Sequence, residues 1–217
     1  MNKILSLEQA VAKIQSGMTL MVGGFLGAGS PWRMLDLLSQ SEAKDLTLIC
    51  NDTALPDKAH GKLIANGQVR KVITSHIGTN PVTIEQMNAG TLEVEFVPQG
   101  TLAERIRAGG AGLGGVLTPT GLGTMVETGK QIIAVDGKDY LLEKPLYADV
   151  AIINAAKGDK SGNLIYKGTS QNMNPLMASA ADVVIAEVGE LVEIGALVPE
   201  TIHTPSIFVT YIVNPKL

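Results

Sequence analysis

The chain reads as an α/β protein with an open, mainly parallel sheet flanked by helices, plus one β-hairpin excursion. Three observations carry that reading. Short apolar, β-branched runs recur along the 217 residues, each bounded by glycine, asparagine or proline. Segments of helical spacing lie between successive runs, and strand, helix, strand alternation implies parallel strands joined by crossovers. Asp136-Gly137-Lys138 between two further apolar runs is a hairpin signal.

The elements follow in chain order. Ser6 can cap a first helix whose apolar face is Leu7, Ala10, Val11 and Ile14, with Gln9 completing a capping box and Gly17 ending the helix. Buried strands are expected at 19–22, 46–50, 69–74 and 92–97. Helices are expected at 32–38 after Pro31, at 58–65, at 84–89 and at 102–108, the last with Leu102 and Ile106 on one face. The hairpin pairs 131–135 with 140–142. Strands resume at 150–153, 183–186 and 207–213, with a helix-compatible segment at 174–181. No linker, internal repeat or charged tail interrupts the pattern, so a single domain over 1–217 is expected.

Composition narrows the function classes. Hydrophobic residues make up 45% of the chain, enough to bury a core without disulfide or metal staples. A formal net charge of -4 offers no basic face for a nucleic-acid backbone, so no nucleic-acid partner is expected. Cys50 is the single cysteine and cannot form an internal disulfide; with no leader-like series at the start, the expected location is the cytoplasm. The most membrane-like stretch, 18–29, is shorter than the roughly 20 apolar residues a span needs and is interrupted by four glycines. No membrane association is expected.

The loop at 22–31, V-G-G-F-L-G-A-G-S-P, leaves a strand, turns on glycines and enters a helix at proline. In an open parallel sheet such strand-end loops are where ligands dock, and successive N–H groups there can face a carbonyl or an anion. A tight turn packed for its own sake remains the other reading. Gly110, Gly112 and Gly115 spell G-x-G-x-x-G but follow a helix, so the dinucleotide-binding context is missing. No phosphate loop, G-x-S-x-G elbow or H-E-x-x-H zinc helix occurs, and no metal site is expected. Cys50 in an apolar strand reads as structural, His76 as a turn residue, and His60 and His203 lie far apart in the chain. Asn51-Asp52-Thr53 and Val97-Pro98-Gln99-Gly100-Thr101 follow strands, placing amides and backbone donors at a strand-end rim or, alternatively, capping the next helices.

Six segments taken together, 22–31, N-D-T at 51–53, S-H-I-G-T-N-P at 75–81, V-P-Q-G-T-L-A-E-R-I-R-A-G-G-A-G at 97–112, L-T-P-T-G-L-G-T at 117–124 and G-N-L-I-Y at 162–166, carry a resemblance in order over nearly the whole chain. They resemble the alpha subunit of the acetate or butyrate–acetoacetate CoA-transferases, within the 3-oxoacid CoA-transferase family. The resemblance implies the CoA-transferase fold and transfer of CoA between short carboxylic acids, by ping-pong covalent catalysis through a glutamyl-CoA thioester. It places the attacking glutamate in an S-E-N-G motif of a beta subunit, and no S-E-N-G occurs here. A beta partner, in an α2β2 or larger assembly, is therefore expected. The resemblance also implies that Gly23, Gly24, Phe25, Leu26, Gly27, Ala28, Gly29, Asn51 and Gly100 contact CoA, and that Gln99 contacts the reacting acyl group as an oxyanion donor. CoA or acyl-CoA is then a substrate, and no tightly bound cofactor is expected. Gln171 and Met173 depart from the family's usual A-R-N-F-N-P at this segment, as does Ser16 before Gly17, where relatives often have an acidic residue or asparagine. Two other readings stay in view: a sugar-phosphate isomerase-like enzyme using Glu104 or Glu127 as its base, and a non-catalytic domain that binds CoA esters.

Overall fold

The structure, a computed structural model, describes residues 3–214; residues 1–2 and 215–217 of the expected domain lie outside the described residues. Its main sheet contains nine strands. Eight are β1 (Ile4–Leu5), β2 (Thr19–Val22), β3 (Leu46–Cys50), β4 (Val69–Thr74), β5 (Glu93–Phe96), β9 (Ala148–Asp159), β11 (Ala181–Val192) and β12 (Tyr211–Val213). They lie side by side in the order β1-β12-β11-β9-β2-β3-β4-β5, every pair parallel. The short β10 (Leu164–Ile165) folds back antiparallel on β9. The chain runs outward from β2 to β5, then returns to β9 beside β2 and runs the other way. That reversal puts a crevice outside the carboxyl ends of β2 and β9, where open α/β sheets hold their ligands.

The central strands are buried on both faces, which is why they read as continuous apolar runs. Their side chains alternate between two cores. Leu20, Val22, Leu48, Cys50, Val150 and Ile152 pack on one face beneath α1 (Leu7–Val11), α2 (Trp32–Leu38) and α3 (Gly61–Ala65). Met21, Ile49, Ile73, Ala151 and Ile153 pack on the other against Leu102 and Ile106 of α5 (Gln99–Gly110) and Met177 of α6 (Asn174–Met177). Burying each such leucine or isoleucine contributes about 1.5–3 kcal/mol.

Local chemistry sets the element ends. The Ser6–Gln9 capping box is formed in both directions, at 3.2 and 3.0 Å, but α1 stops at Val11, and Gly17 turns at a φ of 83°. The expected helix at 84–89 begins earlier, as α4 (Pro81–Asn88), because Asn80 caps it by accepting from Thr83 N–H at 3.3 Å and Pro81 fits its first turn. The helix expected at 58–65 is shortened to α3, since a turn at 58–61 precedes it. The one at 174–181 is shortened to α6, because Ala181 already begins β11.

The strand expected at 92–97 is β5, and it is an edge strand rather than a buried one. Glu93 is exposed there and pairs with Lys71 of β4 at 2.8 Å. The runs at 150–153 and 183–186 are only the apolar middles of β9 and β11. Those strands continue through alanine, glycine and charged residues by pairing with each other as far as Asp159 and Val192. The run at 207–213 yields only Tyr211–Val213, after a 3-10 turn at Ser206–Phe208.

The hairpin forms as β7 (Ile132–Val135) and β8 (Lys138–Glu143). Its turn has two residues, Asp136 and Gly137, with φ of 49° and 72°, and Lys138 already pairs with Val135. β6 (Val116–Thr118), which was not expected, completes a separate three-stranded antiparallel sheet.

Candidate active site

Beyond β2 the chain makes a tight turn in which Phe25 and Ala28 exchange both backbone hydrogen bonds, at 2.9 and 2.8 Å. Leu26 and Gly27 occupy the two central positions at φ of 47° and 87°, a twist that favours glycine at the second. Three asparagine and aspartate side chains hold this turn. Gly24 N–H donates to Asn172 Oδ1 at 3.3 Å, Leu26 N–H donates to Asp52 Oδ2 at 2.9 Å, and Asn174 Nδ2 donates to Gly29 O at 3.0 Å. Asn174 sits so close that a Cβ on Gly23 would lie 1.8 Å from its Oδ1. Within residues 24–29 this leaves the Gly27 and Gly29 N–H groups without an acceptor among the described residues.

The neighbouring strand ends complete a cleft. Asn51 follows β3 and is buried; Gln99 is the first residue of α5, and its Nε2 donates to Asn51 Oδ1 at 2.6 Å. α5 therefore starts three residues earlier than the expected 102–108, and its amino terminus, with its partial positive charge, opens on the cleft at Gln99 and Gly100. The cleft has a volume of ≈ 450 Å³. Phe25, Ala103, Met173 and Leu176 give it an apolar wall, and Asn51, Gln99 and Asn172 give it amides. None of its lining residues is acidic. A second hollow of ≈ 580 Å³ shares Asn172 and Leu176 with it and is lined by Gln171 and Arg107.

The structure thus brings Phe25, Asn51, Gln99 and Gly100 to one cleft. The other loop residues stand behind Phe25: Gly23 and Gly24 at its base, and Leu26, Gly27, Ala28 and Gly29 at or beyond the turn. Thr169, Asn172, Asn174 and Leu176 were not singled out for this site. The segment 170–175 contained the signal, because asparagines just before and at the start of a helix are well suited to tie down a neighbouring loop.

The remaining candidates lie elsewhere. Glu104 is exposed and pairs with Arg107 at 3.1 Å, and Glu127 accepts from Gly123 N–H at 2.6 Å; neither lines the cleft. Burial, with Asp52 nearby, raises the Cys50 thiol well above its ordinary pKa, which suits a structural role. Burial lowers the His60 pKa, and its Nε2 lies 2.6 Å from Asp52 O. His203 stacks on Tyr166 at 5.9 Å, away from both. Gly109 and Gly110 end α5, where a Cβ would lie 2.1 Å from Leu146 O or from Ser179 Oγ, so these two serve packing. Among the described residues no cluster of three or more His, Cys, Asp or Glu could hold a metal ion, and no helix is long and apolar enough to cross a membrane.

Comparison with known proteins places this geometry in context. A family model described as Coenzyme A transferase matches residues 4–215. The chain is 54% identical over 211 residues to the acetate CoA-transferase subunit alpha of Escherichia coli (strain K12), covering 97% of this chain and 96% of that one. It is 51% identical to the acetoacetyl-CoA:acetate/butyrate CoA transferase alpha subunit of Clostridium acetobutylicum, covering 98% of each. Among solved structures, an acyl-CoA transferase from Escherichia coli O157:H7 in a thioester complex with CoA superposes with a TM-score of 0.86. At 22% identity that likeness is one of fold; it covers 98% of this chain, which spans about half (47%) of that one.

Proposed function

The chain belongs to the coenzyme A transferase family as an alpha subunit of the acetate and acetoacetate type, and we propose that it moves CoA between short carboxylic acids using a nucleophile supplied by a beta subunit. One observation carries this reading: the cleft offers amide donors and an apolar wall, but no carboxylate lines it. The buried carboxylate bonded to Asn51, that of Asp52, already accepts from Leu26, Ala54 and Asn51.

In the proposed reaction a glutamate of the beta subunit attacks the acyl-CoA carbonyl, and the C–S bond breaks to release CoA thiolate and leave an acyl-glutamyl anhydride. The thiolate then attacks the glutamyl carbonyl, expelling the first carboxylate and leaving a glutamyl-CoA thioester. A second carboxylate reverses these two steps and departs as the new acyl-CoA. Each attack places negative charge on a carbonyl oxygen. Gln99 Nε2 carries two hydrogens, and its bond to Asn51 leaves one to donate to that oxygen. Phe25, Ala103, Met173 and Leu176 would enclose the acyl chain and exclude water from the anhydride.

Purified alone, the chain should transfer no CoA from acetyl-CoA to butyrate, and mixing it with a beta subunit carrying S-E-N-G should restore transfer. Turnover by the isolated chain would reject the proposal.

A further inference from the structure

Both oxygens of the Asp52 carboxylate already act as acceptors. Leu26 N–H and Asn51 Nδ2 donate to Oδ2 at 2.9 and 3.1 Å, and Ala54 N–H donates to Oδ1 at 2.8 Å. The side chain is buried, at 1% exposure, so water does not take over these contacts. Two of the donors are backbone N–H groups, which can play no other part. A carboxylate surrounded in this way has no hydrogen to give back, so the Asn51 amide turns its NH2 toward Asp52 and its carbonyl toward Gln99. An acceptor there decides the next amide as well. Gln99 meets it with Nε2 at 2.6 Å, and the reversed amide would set two carbonyl oxygens against each other.

We infer that Asp52 is a positioning residue for the transfer reaction: through Asn51 it sets which end of the Gln99 amide stands at the cleft, and through Leu26 N–H it holds the Phe25–Ala28 turn against the same wall. The inference rests on the CoA-transferase reading and on Gln99 meeting the acyl oxygen. A buried carboxylate one residue outside the cleft thereby orders two of its walls, and the direction of a hydrogen-bond chain carries the effect.

The test is a double-mutant cycle on the complex of this chain with its beta subunit. The variants are Asp52→Asn, Asn51→Ala, Gln99→Ala and the two doubles with Gln99→Ala, with assembly checked by native mass. Asp52→Asn should lower kcat about tenfold or more while the KM for acyl-CoA holds, because an amide at 52 no longer dictates the direction of the chain. In the Gln99→Ala background the same change should alter kcat by no more than about twofold, since the route through Asn51 is gone and an amide oxygen at 52 can still accept from Leu26 N–H. Asn51→Ala leaves Asp52 to hold Leu26 and Ala54, so it decides the matter if Asp52→Asn fails to assemble. It should show the same loss in the wild-type background and the same absence of loss in the Gln99→Ala background. Equal losses in both backgrounds, or unchanged kcat in either single variant that assembles, would overturn the inference. Wild-type turnover by Gln99→Ala would overturn it together with the role given to Gln99, and a wild-type complex that transfers no CoA would remove the reading beneath both.

Discussion

Gln99 and Gly23 show how closely single atoms control this site. Removing one oxyanion donor typically slows turnover by about 10²–10³. If Gln99 acts as the proposed donor, Gln99→Ala in the assembled complex should fall in that range, with folding unchanged because Gln99 is exposed; steady-state kcat checks it. Gly23→Ala acts through shape. Its Cβ would displace Asn174, which holds Gly29 O, Ser170 O and Asn154 N–H in place. Overpacking of this kind costs about 1–3 kcal/mol, so urea unfolding of Gly23→Ala should shift to lower denaturant. A midpoint equal to wild type would mean that the loop is looser than its contacts imply. The glycine turn was legible because its glycines directly follow an apolar strand run, whereas the role proposed for Gln99 came from the family resemblance. The roles of Asn172 and Asn174 were not legible, because their partners lie about 145 residues away in the chain.

Elements were legible where one residue type dictated them and illegible where pairing did. Asp136-Gly137 announced its hairpin because only a few residues accept two consecutive positive φ angles. The outer halves of β9 and β11 carried no apolar run, since their stability comes from each other. β6 is three residues long and depends on β8 for its ladder. The small sheet is also tied to the main body by charge. Glu143 of β8 is 1% exposed; it pairs with Lys130 at 2.6 Å and lies 3.8 Å from Arg105 of α5. Glu143→Ala would leave both cations without this partner. Because Lys130 is part-exposed and the buried Arg105 keeps Glu95 at 3.0 Å, the cost should be about 1–3 kcal/mol, below the range for fully buried pairs, as measured by chemical denaturation. At the β9–β10 turn, burial pushes the Asp159 carboxyl up, but donors from Ser161 and Asn163 outweigh it and hold the pKa below its ordinary 3.8. A depressed folded pKa contributes stability above the unfolded value, and that stability is lost as pH falls through the folded one. The stability gap between wild type and Asp159→Asn should therefore be full at neutral pH and narrow below about pH 4. A gap that widens in acid would contradict the assignment.

At the scale of the whole molecule, an open parallel sheet with a reversal between β2 and β9 places the ends of β2, β3 and β5 around one crevice. That architecture followed from the alternation of apolar runs and helical spacing. The nucleophile proposed for a beta subunit did not, because a single chain cannot display a residue carried by another. What the chain does display is a cleft furnished with donors and lacking an acid. Its division of labour can be read directly from mass. The complex is incubated with acyl-CoA and no acceptor, and the intact masses of both chains are then determined. The account predicts a CoA-sized increment on the beta subunit and an unchanged alpha chain; a covalent acyl or CoA adduct on a carboxylate of this chain would contradict it.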